Sequence, residues 1–261
     1  MGLIVPAVLP SSRADLEKNL ALIALIPSVS RVQIDVVDGK FAGPASWPYS
    51  SGTKSDLVLG KPKELQAMMQ KGEMLPHLDR FTYEIDLMCV DAERMAEAWL
   101  ALGATRLTFH AESTTDLGRL LSSARKRYGA GDGFASGLVS FGVALNLASD
   151  LSLIEQNLGE IEYVQFMGIA RIGRQGQPFD HRVLEKIRVF RSRHPEIPMQ
   201  VDGGVSLDTA RRLIALGISN LVVGSALLGL PILPLPLRCL RRSRTRTGCD
   251  TIYSYARRTI Q

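Results

Sequence analysis

Short apolar runs, rich in β-branched residues, alternate with helical-period segments eight times along this chain, and that alternation narrows the possible folds more than any other feature. The strand-like runs fall at 3–8, 31–37, 81–88, 106–110, 137–146, 163–167, 199–202 and 221–224, with helix patterns in the intervals. Eight successive β/α units predict a closed parallel (β/α)8 barrel of TIM type, with a doubly wound open sheet as the other solution. At 261 residues and 46% apolar content, the chain is large enough for one such core.

Local signals place the helices. Ser12-Arg13-Ala14-Asp15 resembles a capping box opening a helix with Leu16, Leu20 and Ile23 on one face. Asp91 is positioned to cap a helix carrying Met95, Trp99 and Leu102, which Gly103 ends. Further helices are expected over 62–71, 116–128, 151–158 and 181–192. Ser206 opens the last, with Leu207, Ala210, Leu213 and Ile214 facing inward.

Strand parity then decides which polar residues meet. Side chains alternate across a strand, so Gln33 shares a face with Asp35, Glu84 with Asp86, Thr108 with His110, and Gln200 with Asp202. The later member of each pair lies nearer the C-terminal rim, where barrel enzymes carry their chemistry, so Asp35, Asp86, His110 and Asp202 are expected to converge. A cap or a buried ion pair explains a single strand-end aspartate as readily as catalysis does. Asp35 and Asp202, each inside an apolar run that ends on glycine, at Gly39 and Gly203, together suggest an acid/base pair working through an enediolate.

A phosphate site is legible beside them. Gly203-Gly204 after the seventh strand and Gly224-Ser225 after the eighth let backbone N–H groups approach an anion, and the loop Arg171-Ile172-Gly173-Arg174-Gln175-Gly176-Gln177 is placed to close over it. Met88 and Met167 fit either core packing or the apolar collar of a pocket. His110, at a rim, is expected to be a ligand or supporting contact, whereas His77, His181 and His194 fall in polar surroundings.

These residues resemble a known family. Asp35-Val36-Val37-Asp38-Gly39-Lys40-Phe41, Asp86-Leu87-Met88, Thr108-Phe109-His110-Ala111-Glu112, Gly176-Gln177-Pro178-Phe179 and Val201-Asp202-Gly203-Gly204-Val205 are similar to the ordered motifs of ribulose-phosphate 3-epimerases, over roughly residues 3 to 230. The resemblance implies a ribulose-phosphate-binding barrel that inverts C3 of a pentulose 5-phosphate, with Asp35 and Asp202 as proton-transfer residues. It also implies a substrate and phosphate site drawn from His110, Met167, Gly176, Gln177, Gly203, Gly204, Gly224 and Ser225, and assembly as a homo-oligomer.

The departures bear on the metal. The family's metal set is His, Asp, His, Asp; the two histidine positions read Gln33 and Asp86 here. Gln33, Asp35, Asp86 and Asp202 would form an all-oxygen site suited to Mn²⁺ or Mg²⁺ better than Zn²⁺; the alternative is a site without metal, in which Gln33 only hydrogen-bonds. Ala7 replaces the usual serine, Val37 the usual methionine, and Arg171 to Gln177 replace a Pro-Gly-Phe-Gly-Gly-Gln loop. Two other readings remain open: a sugar-phosphate-binding barrel without catalysis, and another isomerase or lyase of the same barrel class.

Residues 1–230 are read as a single barrel domain and 231–261 as an atypical segment. That segment carries seven arginines against Asp250, a net +6 which, set against the chain's formal +5, leaves the preceding residues at −1. A nearly neutral body argues against nucleic acid as a partner, and the partner that the glycine loops and the resemblance imply is a small phosphorylated sugar. Cys89, Cys239 and Cys249 show neither metal spacing nor an even count, and no apolar run is long enough to span a bilayer, so a reducing, cytoplasmic location is expected.

Overall fold

The computed structural model describes residues 3–50, 62–129 and 138–224. Eight parallel strands close into a barrel in sequence order: β1 (Leu3–Val8), β2 (Arg31–Val37), β3 (Thr82–Met88), β4 (Arg106–His110), β5 (Ser140–Leu145), β6 (Tyr163–Met167), β7 (Met199–Asp202) and β8 (Asn220–Val223), with β8 pairing back to β1. Helices α1 (Arg13–Ile23), α2 (Lys63–Gln70), α3 (Ala92–Ala101), α4 (Leu117–Ala124), α5 (Ser152–Glu155), α6 (Arg182–Arg193) and α7 (Leu207–Ala215) follow β1 to β7 in turn. The closed barrel, rather than the open sheet, is the fold. No helix among the described residues is long and apolar enough to cross a membrane. Ser225 and the segment 231–261 lie outside the described residues, as do Cys239 and Cys249; Cys89 is buried and free.

Strand parity divides the interior into two chemistries. Val32, Ile34, Val36, Ile85, Leu87 and Phe109 belong to the main apolar core, where α1, α3 and α4 also bury their inner faces and Trp47 meets Trp99 edge to face at 5.7 Å. The opposite strand faces fill the barrel with polar groups, beside a small apolar cluster of Val5, Ala7 and Val222. Buried polar groups are tolerable only when partnered. On the barrel floor Glu84 accepts from Arg106 Nε at 3.1 Å, Thr108 Oγ1 at 3.3 Å and Gln200 Nε2, and Thr108 meets the Tyr163 hydroxyl at 2.7 Å. Gly142 makes room for that tyrosine: a Cβ there would lie 2.2 Å from its ring.

Several local expectations need correction. Ser12 caps α1 through the Asp15 amide at 3.1 Å, but the Asp15 carboxylate turns to the Ser11 amide and hydroxyl, so the reciprocal half of a box is absent. Asp91 spends its carboxylate on Tyr49 and Arg94 and makes no side-chain cap on α3. The helix expected over 116–128 is present as α4, capped by Asp116, but gives way to a π turn at Arg125–Gly129, and that over 151–158 shrinks to α5 and a 3₁₀ turn at Leu158–Glu160. Leu207 is exposed, since the box formed by Ser206 and Thr209 turns Thr209, not Leu207, into the core.

Candidate active site

The register sets Asp35 beside Asp86, and Met167 beside Asp202, at the C-terminal ends of β2, β3, β6 and β7. One carboxylate oxygen from each of Asp35, Asp86 and Asp202 lies within 4.8 Å of the other two, and all three side chains are buried. Gln33, one turn of the pleat below, donates Nε2 to Asp35 Oδ1 at 2.8 Å and to Asp202 Oδ2 at 3.0 Å, while its Oε1 is buried without a partner. One amide therefore bridges the aspartates of strands β2 and β7.

Asp86 is held from the other side. Its Oδ1 lies 3.0 Å from His110 Nε2 and its Oδ2 accepts from Gln165 Nε2 at 3.0 Å, while Gln165 Oε1 accepts from Gln200 at 2.6 Å. A continuous polar chain thus links the floor to the rim through Gln165, a residue the sequence reading did not single out. Its only signal was shared parity with Met167 on β6. His110 is fully buried under Phe41, ring centroids 5.3 Å apart, and does not line the cavity above the carboxylates. Its placement is that of a support for Asp86 rather than of a substrate contact.

Electrostatics follow from this crowding. Burial, the neighbouring Asp86 and, more weakly, Glu84 push the Asp35 carboxyl up to about 8 against the Gln33 hydrogen bond. Burial and the charges of Asp35 and Asp86 push Asp202 well above the ordinary carboxylate range, against Gln33 and His110. Burial works against a charged His110, but Asp86 with Glu112 and Asp202 outweighs it and raises the imidazole above its ordinary value. A raised carboxyl favours the folded state below its unfolded value near 3.8, and that contribution is lost as pH rises through about 8. Metal-free protein is accordingly expected to melt at falling temperature between pH 4 and 9, with a shallower fall in Asp35→Asn; calorimetry across that range checks it, and parallel curves would contradict the repulsion.

The loops complete the cavity. Asp38 accepts from the amides of Lys40 at 2.7 Å, Phe41 at 2.8 Å and Val90 at 2.9 Å, fixing the turn after β2 to the end of β3. The loop after β6 leans on that turn: Gly173 at φ +80° packs against Ala42 and Gly43, and Arg174 Nε donates to the Gly43 carbonyl at 3.1 Å. Met167, Gly176, Gln177, Gly203, Gly204 and Gly224 all line the cavity with Asp35 and Asp202. The Gln177 amide is spent inside its own loop, on the carbonyls of Arg171 and Arg174. Only about 60 Å³ is open, well under the ~300 Å³ of a usual small-molecule site. Gln175 lies across Gly224, its Nε2 2.9 Å from where a Cβ would stand.

The two glycines differ as tests of the anion cup. At Gly204, φ is +67° and a Cβ would lie 2.6 Å from the Phe179 backbone, so substitution strains the fold by about 1–3 kcal/mol. Gly204→Ala is therefore expected to lower Tm by several degrees. At Gly224 only the flexible Gln175 end intervenes; Gly224→Ala should raise KM for a sugar phosphate severalfold with little change in Tm. An unchanged KM would remove Gly224 from the cup.

Residues 63–228 match the model of the ribulose-phosphate 3-epimerase family. Ribulose-phosphate 3-epimerase of Escherichia coli (strain K12) is 27% identical over 233 residues, covering 88% of this chain and 90% of that protein. The Bacillus subtilis (strain 168) enzyme of the same name is 30% identical over 151 residues, covering 56% of this chain and 64% of its own. Among solved structures, KGPDC from Streptococcus mutans superposes with a TM-score of 0.55 at 14% identity, covering 88% of this chain and 91% of that one. A 3-hexulose-6-phosphate synthase does so with a TM-score of 0.54 at 15% identity, covering 88% and 93%; at such identities these two attest the barrel alone. With the family match spanning more than half of its length and relatives alike over most of it, the chain belongs to the ribulose-phosphate 3-epimerase family.

Proposed function

We propose that this protein is a sugar-phosphate epimerase, similar to ribulose-5-phosphate 3-epimerase, in which Asp35 and Asp202 exchange the C3 proton of a ketose phosphate across an enediolate. The observation that carries this reading is the pair itself: two buried carboxylates from strands β2 and β7, joined by the Gln33 amide and lining one cavity with the glycines of the β7 and β8 loops. Inversion needs one carboxylate ionised to take the proton and the other protonated to return it on the opposite face. Raised and mutually dependent affinities suit a pair that holds one proton between two sites near neutral pH. Gly203, Gly204 and Gly224 offer backbone groups to the phosphate, and Met88 and Met167 provide apolar walls that keep water from the carbanion.

The carboxylate cluster also fits a divalent cation. Three buried, mutually repelling carboxylates call for positive charge, and the donors are all oxygen, which suits Mg²⁺ or Mn²⁺ over Zn²⁺. Gln33 Oε1, an orphan in its buried position, becomes a fourth oxygen donor if the amide turns over. Asp35, Asp86, Asp202 and Gln33 would hold the ion, whose chemistry there is to stabilise the enediolate oxygens. The direct test is ¹³C NMR of a ketopentose 5-phosphate incubated with the protein and Mn²⁺ or Mg²⁺: the C3 epimer should accumulate to equilibrium. A sugar phosphate that binds and is returned unchanged would favour a binding protein instead.

A further inference from the structure

Beside the catalytic cavity lies a second, open one, of about 490 Å³, bordered by the turn after β2, the loop after β5 and the start of the loop after β6. Its charge is one-sided. Arg171, Arg174 and Arg182 line it and no carboxylate does, whereas the first cavity is lined by Asp35 and Asp202. Only Arg182 is neutralised, through a bidentate pair with Asp180 at 2.7 to 3.2 Å. Arg174 has committed Nε alone, to the Gly43 carbonyl, and the Arg171 guanidinium is exposed with no partner among the described residues.

The two cavities share a wall. Arg174 lines both, and the loop that carries it runs on through Gln175, which reaches to Gly224 at the phosphate cup. Guanidinium groups gathered without counter-charge at the edge of a site recognise planar or tetrahedral oxyanions through paired N–H donors. We infer that this cavity binds a second anionic group of the substrate, a phosphate or carboxylate at the end remote from the phosphate held by Gly203, Gly204 and Gly224. The inference rests on the proposed function for the position of the first phosphate. It gives the arginines that replace the family's Pro-Gly-Phe-Gly-Gly-Gln loop a role in choosing a doubly anionic ketose over a singly anionic one.

The test compares calorimetric affinities for a ketopentose 5-phosphate and the corresponding 1,5-bisphosphate at fixed ionic strength. The bisphosphate is expected to bind at least about tenfold more tightly. Arg171→Gln should cut that ratio at least about fivefold, while Arg171→Lys retains part of it. A ratio near one in the native protein, or a ratio that survives Arg171→Gln, would overturn the inference. Inorganic phosphate titrated into protein saturated with the monophosphate separates the remaining source: extra binding that needs Arg171, without a bisphosphate preference, shows a site for a free anion and rejects the substrate assignment. Failure of the epimerase reading looks different, because the bisphosphate preference would then stand while neither sugar exchanges its C3 proton.

Discussion

Asp35→Asn and Asp202→Asn are each expected to lower epimerisation by about 10²–10⁴-fold, the span that a positioned acid or base contributes, and yet to melt at higher temperature than the native protein. The two effects share one cause. Each carboxylate sits buried within 4.8 Å of two others, so its charge is costly to the fold, and only the reaction has a use for it. Asparagine keeps an oxygen in place to accept from Gln33 Nε2, so the bridge at 2.8 and 3.0 Å survives while the charge and the proton-transfer capacity go. For a chain of this size, relief of about 1 kcal/mol raises Tm by about 2–4 °C. Activity assays and calorimetry on the same variants decide: a folded variant at full activity would remove that residue from the chemistry, and a lower Tm in metal-free protein would remove the repulsion.

The second large effect concerns the cation. Thorough chelation is expected to reduce turnover at least about a hundredfold, with Mn²⁺ or Mg²⁺ restoring it and Zn²⁺ restoring it less, because the donors are carboxylate and amide oxygens. Gln33→His should move the preference toward Zn²⁺ without disturbing the partners of Asp86. Asp86→His is a harsher change, since His110 and Gln165 would each lose a buried acceptor, at about 1–3 kcal/mol apiece. The double variant therefore needs its Tm measured alongside its metal profile. Undiminished turnover without metal would remove the cation from the account and leave hydrogen-bond donors of the cavity wall to stabilise the developing charge.

Much of this arrangement can be read along the chain because parallel barrel strands obey a simple rule. An apolar run buried on its outer face, with a polar residue at every second position, fixes which side chains enter the barrel, and Gln33, Asp35, Glu84, Asp86, Thr108, His110, Gln200 and Asp202 all follow it. Loop paths obey no such rule. Nothing periodic marks Phe41 as the cover over His110, Gln175 as the side chain across Gly224, or Arg174 as the bond between the turns after β2 and β6. Gln165 was hidden for a different reason: an amide inside Tyr163–Met167 reads as a solitary polar interruption until Asp86 and Gln200 are seen on either side of it. Helix ends failed where a nominal cap had a better partner in space, as Asp91 has in Tyr49.

The central claim is that this site takes a proton from carbon, and exchange with solvent tests it without reliance on any net conversion. A ketopentose 5-phosphate incubated in D₂O with the native protein and Mn²⁺ should acquire deuterium at C3 in both epimers, with the C1 and C4 hydrogens untouched, and Asp35→Asn and Asp202→Asn should each suppress the label. Absence of C3 label from a sugar phosphate shown to be bound, or label at C1 in its place, would contradict the assignment of Asp35 and Asp202 as the pair that inverts C3.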